Sequence, residues 1–286
     1  MLAWLAYLTV AVVWGSTYFA IALGLESFTP YGMVAARFSV AAALALGLGR
    51  LRREPWPSAK EAGHLMVVGA LLLGCSNALI SWAELHVSSG LAAVFAALVP
   101  LWLAVFSMAK DPLGAKGWAG LGLAGVCVLV WPTGGVRVHA GGLAALVVAP
   151  ILWSWGTLHG KHFVHGGGLM TNVGIQMGTA AVIGLAAAPL LGGFLRGPLT
   201  PRALGAVAYL ALFGSMLAFS AYIYLAKAWP PAKMGTYAYL NPVVAVLLGS
   251  LILHEPFGPR EILGMTVILA AVALVQLRPR PLSAEA

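Results

Sequence analysis

Apolar stretches long enough to cross a lipid bilayer recur along this whole chain, separated by short breaks rich in Pro, Gly and charge. A span needs about 20 apolar residues, with a range of about 17–25. Inside lipid every backbone polar group must be satisfied within the protein, so the stretches predict membrane helices. Of 286 residues, 61% are hydrophobic and 8% charged, against about 25% charged in an average soluble domain. No soluble fold of this size hides so much apolar surface. The 35 glycines are scattered through the apolar runs, where each would cost a water-soluble helix about 1 kcal/mol; between membrane helices small residues instead permit close approach.

The breaks delimit ten spans, at 4–25, 31–49, 65–83, 91–109, 117–131, 142–157, 169–191, 203–226, 234–253 and 262–277, of which the fifth, sixth and tenth read as short. The opening Met1-Leu2-Ala3-Trp4 carries no cationic leader with a cleavage site, so the first stretch is expected to remain a span. Cys75 and Cys127 lie within apolar runs with no His or carboxylate near them in sequence, a pattern that suggests neither a disulfide framework nor a metal site.

The formal net charge of +8 is distributed singly and in small groups between the apolar segments. This is the pattern of the positive-inside rule rather than of a nucleic-acid surface. With a cytoplasmic N-terminus the inner side receives Arg50, Arg52, Arg53, Lys60, Lys110, Lys116, Lys161, Lys227, Lys233, Arg278 and Arg280, eleven of the sixteen Lys and Arg. Arg137, Arg196, Arg202 and Arg260 fall outside and Arg37 falls within the second span. Both termini are therefore expected to be cytoplasmic, in the inner membrane of a bacterial cell.

The two halves match each other at an offset near 140. Asp111-Pro112-Leu113-Gly114-Ala115-Lys116 through Gly120 corresponds to Glu255-Pro256-Phe257-Gly258-Pro259-Arg260 through Gly264 at offset 144. Pro100 corresponds to Pro242 at offset 142, and Trp14 to Trp153 at offset 139. Two five-span halves enter the membrane with opposite orientation, an arrangement used by secondary transporters. An old duplication without mechanistic meaning is the bland alternative.

Trp14-Gly15-Ser16-Thr17-Tyr18-Phe19, Ala36-Arg37-Phe38, Ala83-Glu84 with Ser89-Gly90-Leu91-Ala92-Ala93, and the run from Tyr237 through Asn241-Pro242 to Gly249 together resemble the EamA-type drug/metabolite transporters, and within them the YedA-like branch. The resemblance covers both halves. It implies an all-α integral membrane protein of ten transmembrane helices, in a 5+5 inverted-topology repeat around a central cavity lined largely by spans 3, 4, 8 and 9. Residues 1–132 and 141–278 form the two repeats and 279–286 a cytoplasmic tail. It also implies export of metabolites, amino acids or drugs. Asp111 departs from the family's usual glutamate, a conservative change.

Several polar and aromatic residues inside spans are candidates for the transport site. Asn77, Ser81 and Glu84 stand at i, i+4 and i+7 on one face of the third span, and a polar stripe in lipid faces the protein interior; a structural hydrogen-bond seam is the alternative. Their counterparts in the eighth span are Leu217, Ala221 and Tyr224, so Tyr224 joins the candidates. Tyr237 and Asn241 share a face just before Pro242. Proline lacks an N–H, so Pro242 deprives the carbonyl of Ala238, and Pro100 that of Ala96, of its usual donor. The matched prolines are hinges for alternating access or fixed packing kinks. Trp14, Thr17 and Tyr18, with Trp153, Trp155 and Thr157, form clusters suited to stacking on an aromatic substrate or to anchoring at the membrane boundary. Arg37 and Glu84 are the opposite charges placed closest to the hydrocarbon, and are expected to approach each other as a clasp or an outer gate. His159, His162 and His165 adjoin Lys161 and a triple glycine, which favours a solvated boundary over a metal site.

The leading expectation is a secondary exporter of small molecules embedded in lipid, with no nucleic-acid partner and no cofactor; homodimerisation is left open. A membrane enzyme would need clustered catalytic groups, whereas Glu26, Glu54, Glu61, Asp111, Glu255, Glu261 and Glu285 fall in loops or tails. A passive channel is the other rival. No Gly-x-x-x-x-Gly-Lys motif for ATP is present, and the cargo is not legible. The charge bias generates a topology prediction: with cysteines introduced singly at Ser58 and Arg196, an impermeant thiol reagent applied to whole cells labels only the second, and labelling at Ser58 overturns the orientation.

Overall fold

The computed structural model describes residues 1–106 and 139–252, together with 258–259, 262–263, 266–267 and 270. The described residues are helical, with one isolated antiparallel bridge between Phe28 and Leu195. In chain order the helices are α1 (Leu2–Gly24), α2 (Pro30–Leu51), α3 (Ala59–Ala83), α4 (Ser89–Ala96), α5 (Val99–Phe106), α6 (Ala140–Phe163), α7 (Leu169–Ala187, prolonged by the 3-10 turn Ala188–Leu190), α8 (Pro201–Ala228), α9 (Pro231–Gly235) and α10 (Tyr237–Ile252). Among the described residues seven helices are long and apolar enough to cross a membrane: α1, α2, α3, α6, α7 with its turn, α8, and the stretch Lys233–Ile252.

The helix starts follow from local chemistry. Thr29 and Thr200 each accept a hydrogen bond from an amide of the first turn, while Pro30 and Pro201 occupy first positions where their missing N–H is harmless. Ser58 and Glu61 form a reciprocal capping box on α3. The start of α7 is Gly168, which has no side chain to cap with; Glu54 reaches across from the α2–α3 loop and accepts the Thr171 N–H at 3.0 Å. A carboxylate there also meets the positive end of the helix dipole.

Leu5, Leu8 and Val12 on α1, Val182 and Leu185 on α7, and Leu212 and Leu217 on α8 are exposed. The opposite faces of the same helices are buried. Apolar residues on both faces suit a bundle whose surroundings are lipid.

The helix partners are exchanged between the two halves of the chain. α3 packs on α6 and α7, whereas α8 packs on α1 and α2; α4 and α5 pack on α6, whereas α10 packs on α1; and α2 lies along α7. Two π-helical stretches, Gly69–Ser76 within α3 and Leu210–Ala218 within α8, lie about 140 residues apart. The fourth span breaks at Ala97 and Leu98, between α4 and α5, just before Pro100. In the ninth the break lies at Thr236, between α9 and α10, and Pro242 stands inside α10.

Among the described residues Arg50, Arg52, Arg53, Lys60, Lys161, Lys227 and Lys233 belong to one end of the bundle, hereafter the basic end, and Arg196 and Arg202 to the other. The basic end is tied together by Pro55 C=O to Gly168 N–H, by the Lys161 ammonium on the carbonyls of Ala226 and Trp229, and by Lys233 over the rings of Trp4 and Trp229. At the opposite end the Thr29 hydroxyl donates to Gly193 and that of Ser27 to Pro198, and Arg202 pairs with Glu26 at 3.7 Å.

One length expected from the sequence needs correction: the sixth span is not short, since α6 runs for 24 residues, continuing through Lys161 to Phe163. The lysine does not end it because its ammonium reaches the carbonyls at the end of α8. The fifth span, and the Asp111–Gly120 half of the sequence repeat, lie outside the described residues, as do most of the tenth span and of the matching stretch 255–264.

Close helix approach makes one glycine sensitive. A Cβ on Gly69, at the start of the α3 π stretch, would sit 2.3 Å from the Gln176 carbonyl oxygen of α7, whereas one on Gly63 meets nothing within 4 Å. Gly69→Ala is expected to lower stability by about 1–3 kcal/mol as an overpacked contact. Gly63→Ala is expected to be neutral or to stabilise by up to about 1 kcal/mol. Thermal unfolding in detergent compares the two, and equal melting temperatures would remove the contact as a determinant.

Candidate functional site

The π stretches determine what the centre of the bundle looks like. A π turn bonds i to i+5, so it shifts the phase of the residues that follow and alters which carbonyls are shared with side chains. In α3 the Asn77 amide, at the exit of the π stretch, donates to the Leu72 carbonyl at 2.9 Å. In α8 the Gly214 carbonyl, inside the π stretch, accepts the Trp14 indole N–H at 2.9 Å. Between these two points sits Arg37 of α2, 7% exposed. Its Nε donates to the Ser215 hydroxyl at 2.8 Å and its Nη1 to the Asn77 side-chain oxygen at 3.3 Å. The guanidinium carbon lies 4.8 Å from the centre of the Phe38 ring.

Arg37, Asn77 and Ser215 line a central cavity of about 60 Å³. Trp14 is the hub of its aromatic wall, with ring centroids 5.2 Å from Trp153, 5.0 Å from Tyr222 and 5.2 Å from Tyr237. Thr17 and Tyr18 also line the cavity, as do Ala96 and Ala238, the two residues whose carbonyls Pro100 and Pro242 deprive of a donor. Asn241 lines it as well; with its amide oriented to satisfy both neighbours, the nitrogen donates to the carbonyls of Ala11 (3.0 Å) and Tyr237 (3.2 Å).

Toward the basic end a second chamber of about 340 Å³ opens between α3, α6, α7 and α8, lined by Lys161, His165, Asn172, Gln176 and Lys227 among others. A hydrogen-bonded partition stands between the chambers. The Tyr222 hydroxyl meets the Thr157 hydroxyl at 2.5 Å and accepts the Trp153 indole N–H at 3.2 Å. Trp153 faces the central cavity, Thr157 and Tyr222 face the second chamber, and Phe219 borders both.

Of the residues proposed from sequence, Trp14, Thr17, Asn77, Tyr237 and Asn241 converge on the central cavity with Arg37. Ser81 is buried outside its described lining, and Glu84 caps the end of α3, half-buried and likewise outside. Arg37 and Glu84 do not form an ion pair; the guanidinium is held by Ser215 and Asn77 instead. Tyr224 is exposed and does not line the cavity, and Trp155 is 58% exposed. The eighth-span stripe is instead Ser215, Phe219 and Tyr222, which recur at i, i+4 and i+7 and were legible as a periodic set. Mapping the third span onto the eighth at a fixed offset of 140 hid it. Of the three adjacent histidines, His159 lies 3.0 Å from His64 of α3, and His165 and its neighbour Gly166 donate backbone N–H bonds to Glu61.

With the geometry in hand, comparison with known proteins is informative. The sequence pattern of the EamA-like transporter family matches residues 1–131 and 140–277. The chain is 37% identical over 270 residues to the inner membrane transporter YedA of Escherichia coli (strain K12), covering 93% of this chain and 88% of that protein. It is 26% identical over 289 residues, 96% of this chain and 93% of the other, to a Streptantibioticus cattleyicolor protein named "Probable terminal-alkyne amino-acid exporter". A crystal structure superposes with a TM-score of 0.71 at 22% identity, covering 96% of both chains, a likeness of fold. Together with the apolar helices, these matches establish that the chain is a multi-pass membrane transporter belonging to the EamA-like transporter family.

Proposed function

We propose that this protein is a secondary transporter that exports small metabolites, amino acids or drug-like amphipathic compounds by alternating access, built from ten helices in two inverted five-helix halves with both termini cytoplasmic. One observation carries the reading: two chambers follow one another toward the basic end, separated by the Tyr222, Thr157 and Trp153 partition. A carrier needs a site that is closed on one side at a time, and a partition held by two hydrogen bonds and ring contacts is a barrier that a small helix movement removes. The exchanged packing partners and the paired π stretches support the inverted halves. The name of the Streptantibioticus cattleyicolor relative supports export.

In this mechanism α6 and α8 carry the partition and the prolines supply the movement. Pro100 and Pro242 interrupt the helix ladder beside the cavity, so bending there strains no i to i−4 bond at those positions. Asn77, Tyr237 and Asn241, with Trp14 and Thr17, line the substrate site. In protein reconstituted into liposomes, flux is expected to saturate and to accelerate when unlabelled substrate is loaded on the far side; linear flux without counterflow indicates a channel instead. Pro242→Ala is expected to lower turnover several-fold while leaving binding unchanged, and unaltered turnover removes the hinge role.

A second prediction concerns the polar lining. Asn77→Leu deprives the Arg37 guanidinium of one acceptor, and leaving a buried charged donor unsatisfied costs about 1–3 kcal/mol. The variant is expected to melt lower and to bind transported compounds more weakly. Tyr224→Leu, on the exposed face, is expected to match the wild type in both measurements. Equal behaviour of the two variants overturns the lining assignment.

A further inference from the structure

We infer that the central cavity selects amphipathic monoanions, a carboxylate or comparable acid on an aromatic or bulky apolar body, and that Arg37 is the specificity-determining group. This rests on the transporter reading above and narrows its cargo. Among the described lining residues Arg37 is the charged side chain. Its contacts are neutral: a hydroxyl, an amide oxygen and an aromatic face. A guanidinium has five N–H donors in a planar fork, and two of them are used by Ser215 and Asn77. Nη2 donates to none of the described residues.

Holding a cation without an opposite charge beside it inside a membrane protein is unfavourable. An anion entering the cavity offsets part of that through paired, charge-assisted hydrogen bonds, the geometry in which guanidinium recognises carboxylate. An ammonium would instead meet a like charge among buried side chains.

The body of the molecule is specified by what lies next to the charge. Arg37 and Trp14 converge on Gly214: the Trp14 indole donates to its carbonyl, and a Cβ at that position would lie 3.0 Å from Arg37 Nη2. A carboxylate on Nη2 therefore has its attached group at the Trp14, Trp153, Phe219 and Tyr237 rings. Gly214 is what leaves room for the acid, since any side chain there fills the space beside the guanidinium. The approach from the basic end agrees in sign, because the second chamber is lined by Lys161, Lys227 and His165 and concentrates anions ahead of the partition.

Three probes with one body and different charge test this: 3-phenylpropanoate, 3-phenylpropanamide and 3-phenylpropylamine, titrated calorimetrically into the full-length protein in a detergent with a neutral headgroup. The acid is expected to bind at least ten-fold more tightly than the amide and the amine. In Arg37→Gln the acid is expected to lose that advantage, and in Arg37→Lys, which keeps the charge without the fork, to retain part of it. The order in the wild-type protein is decisive even if Arg37→Gln does not fold. Binding of the amide or amine as tight as the acid, an unchanged order in a folded Arg37→Gln, or no binding by the acid overturns the inference. Liposome flux separates the two readings: anion-selective binding without counterflow defeats the carrier mechanism and keeps the site, whereas counterflow of another compound that is indifferent to Arg37→Lys and Arg37→Gln keeps the carrier and defeats the site.

Discussion

The guanidinium of Arg37 is the point to which the middle of the bundle is fastened. An arginine that cannot reach water must find acceptors inside the protein, and here they come from two different helices, Ser215 in the π stretch of α8 and Asn77 at the exit of the π stretch of α3. One side chain of α2 thereby fixes the separation of α3 and α8. The indole of Trp14 adds a third helix, by bonding the carbonyl of Gly214 next to Ser215. Removing any one of these groups leaves a polar atom unsatisfied where hydrocarbon surrounds the bundle, which is a larger penalty than the net value of the bond itself.

The same accounting explains why irregular backbone gathers here and not at the lipid face. A π stretch or a proline weakens the i to i−4 ladder, and lipid offers no replacement donor. Polar side chains from neighbouring helices supply it. The Ser76 hydroxyl donates to the Ala149 carbonyl beside Pro150, and that of Ser154 to the Val99 carbonyl beside Pro100. Such bonds are made across helices, so they hold the bundle together while leaving the Pro-interrupted carbonyls of Ala96 and Ala238 at the cavity wall.

How much of this was legible in the sequence depended on whether the signal was one of period or of phase. Apolar length and charge placement located the spans described here to within a few residues, except the start of α3, whose first turn carries Lys60 and Glu61, and the end of α6, whose last turn carries Lys161 and His162. Prolines, tryptophans and asparagines inside spans pointed to Trp14, Asn77, Tyr237 and Asn241, which lie on the cavity wall. Phase was the weak link. Tyr222 and Tyr224 differ by about 200° around a helix, so choosing between them requires the phase that Tyr222 shares with Ser215 and Phe219, which a fixed offset from the third span does not carry. Ser81 shares the α-helical stretch Asn77–Ala83 with Asn77 but lies one turn further along it, outside the described cavity lining. Pairing Arg37 with Glu84 rests on opposite charge alone, whereas two neutral acceptors already in place hold the guanidinium without desolvating a second charge, a cost that a buried ion pair often fails to recover.

The partition and the charge are also mechanically connected. Tyr222 closes the partition through Thr157 and Trp153, and its ring lies 5.0 Å from that of Trp14. Trp14 in turn holds the Gly214 carbonyl, one residue from the Ser215 hydroxyl that receives Arg37. Interiors packed at this density move between discrete arrangements rather than deforming continuously. A shift of α8 that parts Tyr222 from Thr157 therefore carries Ser215 and Gly214 with it and changes what the guanidinium can reach. The anion inferred above would act on the same element from the other side, since Nη2 lies beside Gly214 while Nε and Nη1 stay with Ser215 and Asn77. On the proposed carrier reading, binding and opening would draw on the same few bonds of α8, so occupancy of the site would bias the partition, as a carrier that moves its cargo rather than leaking it requires.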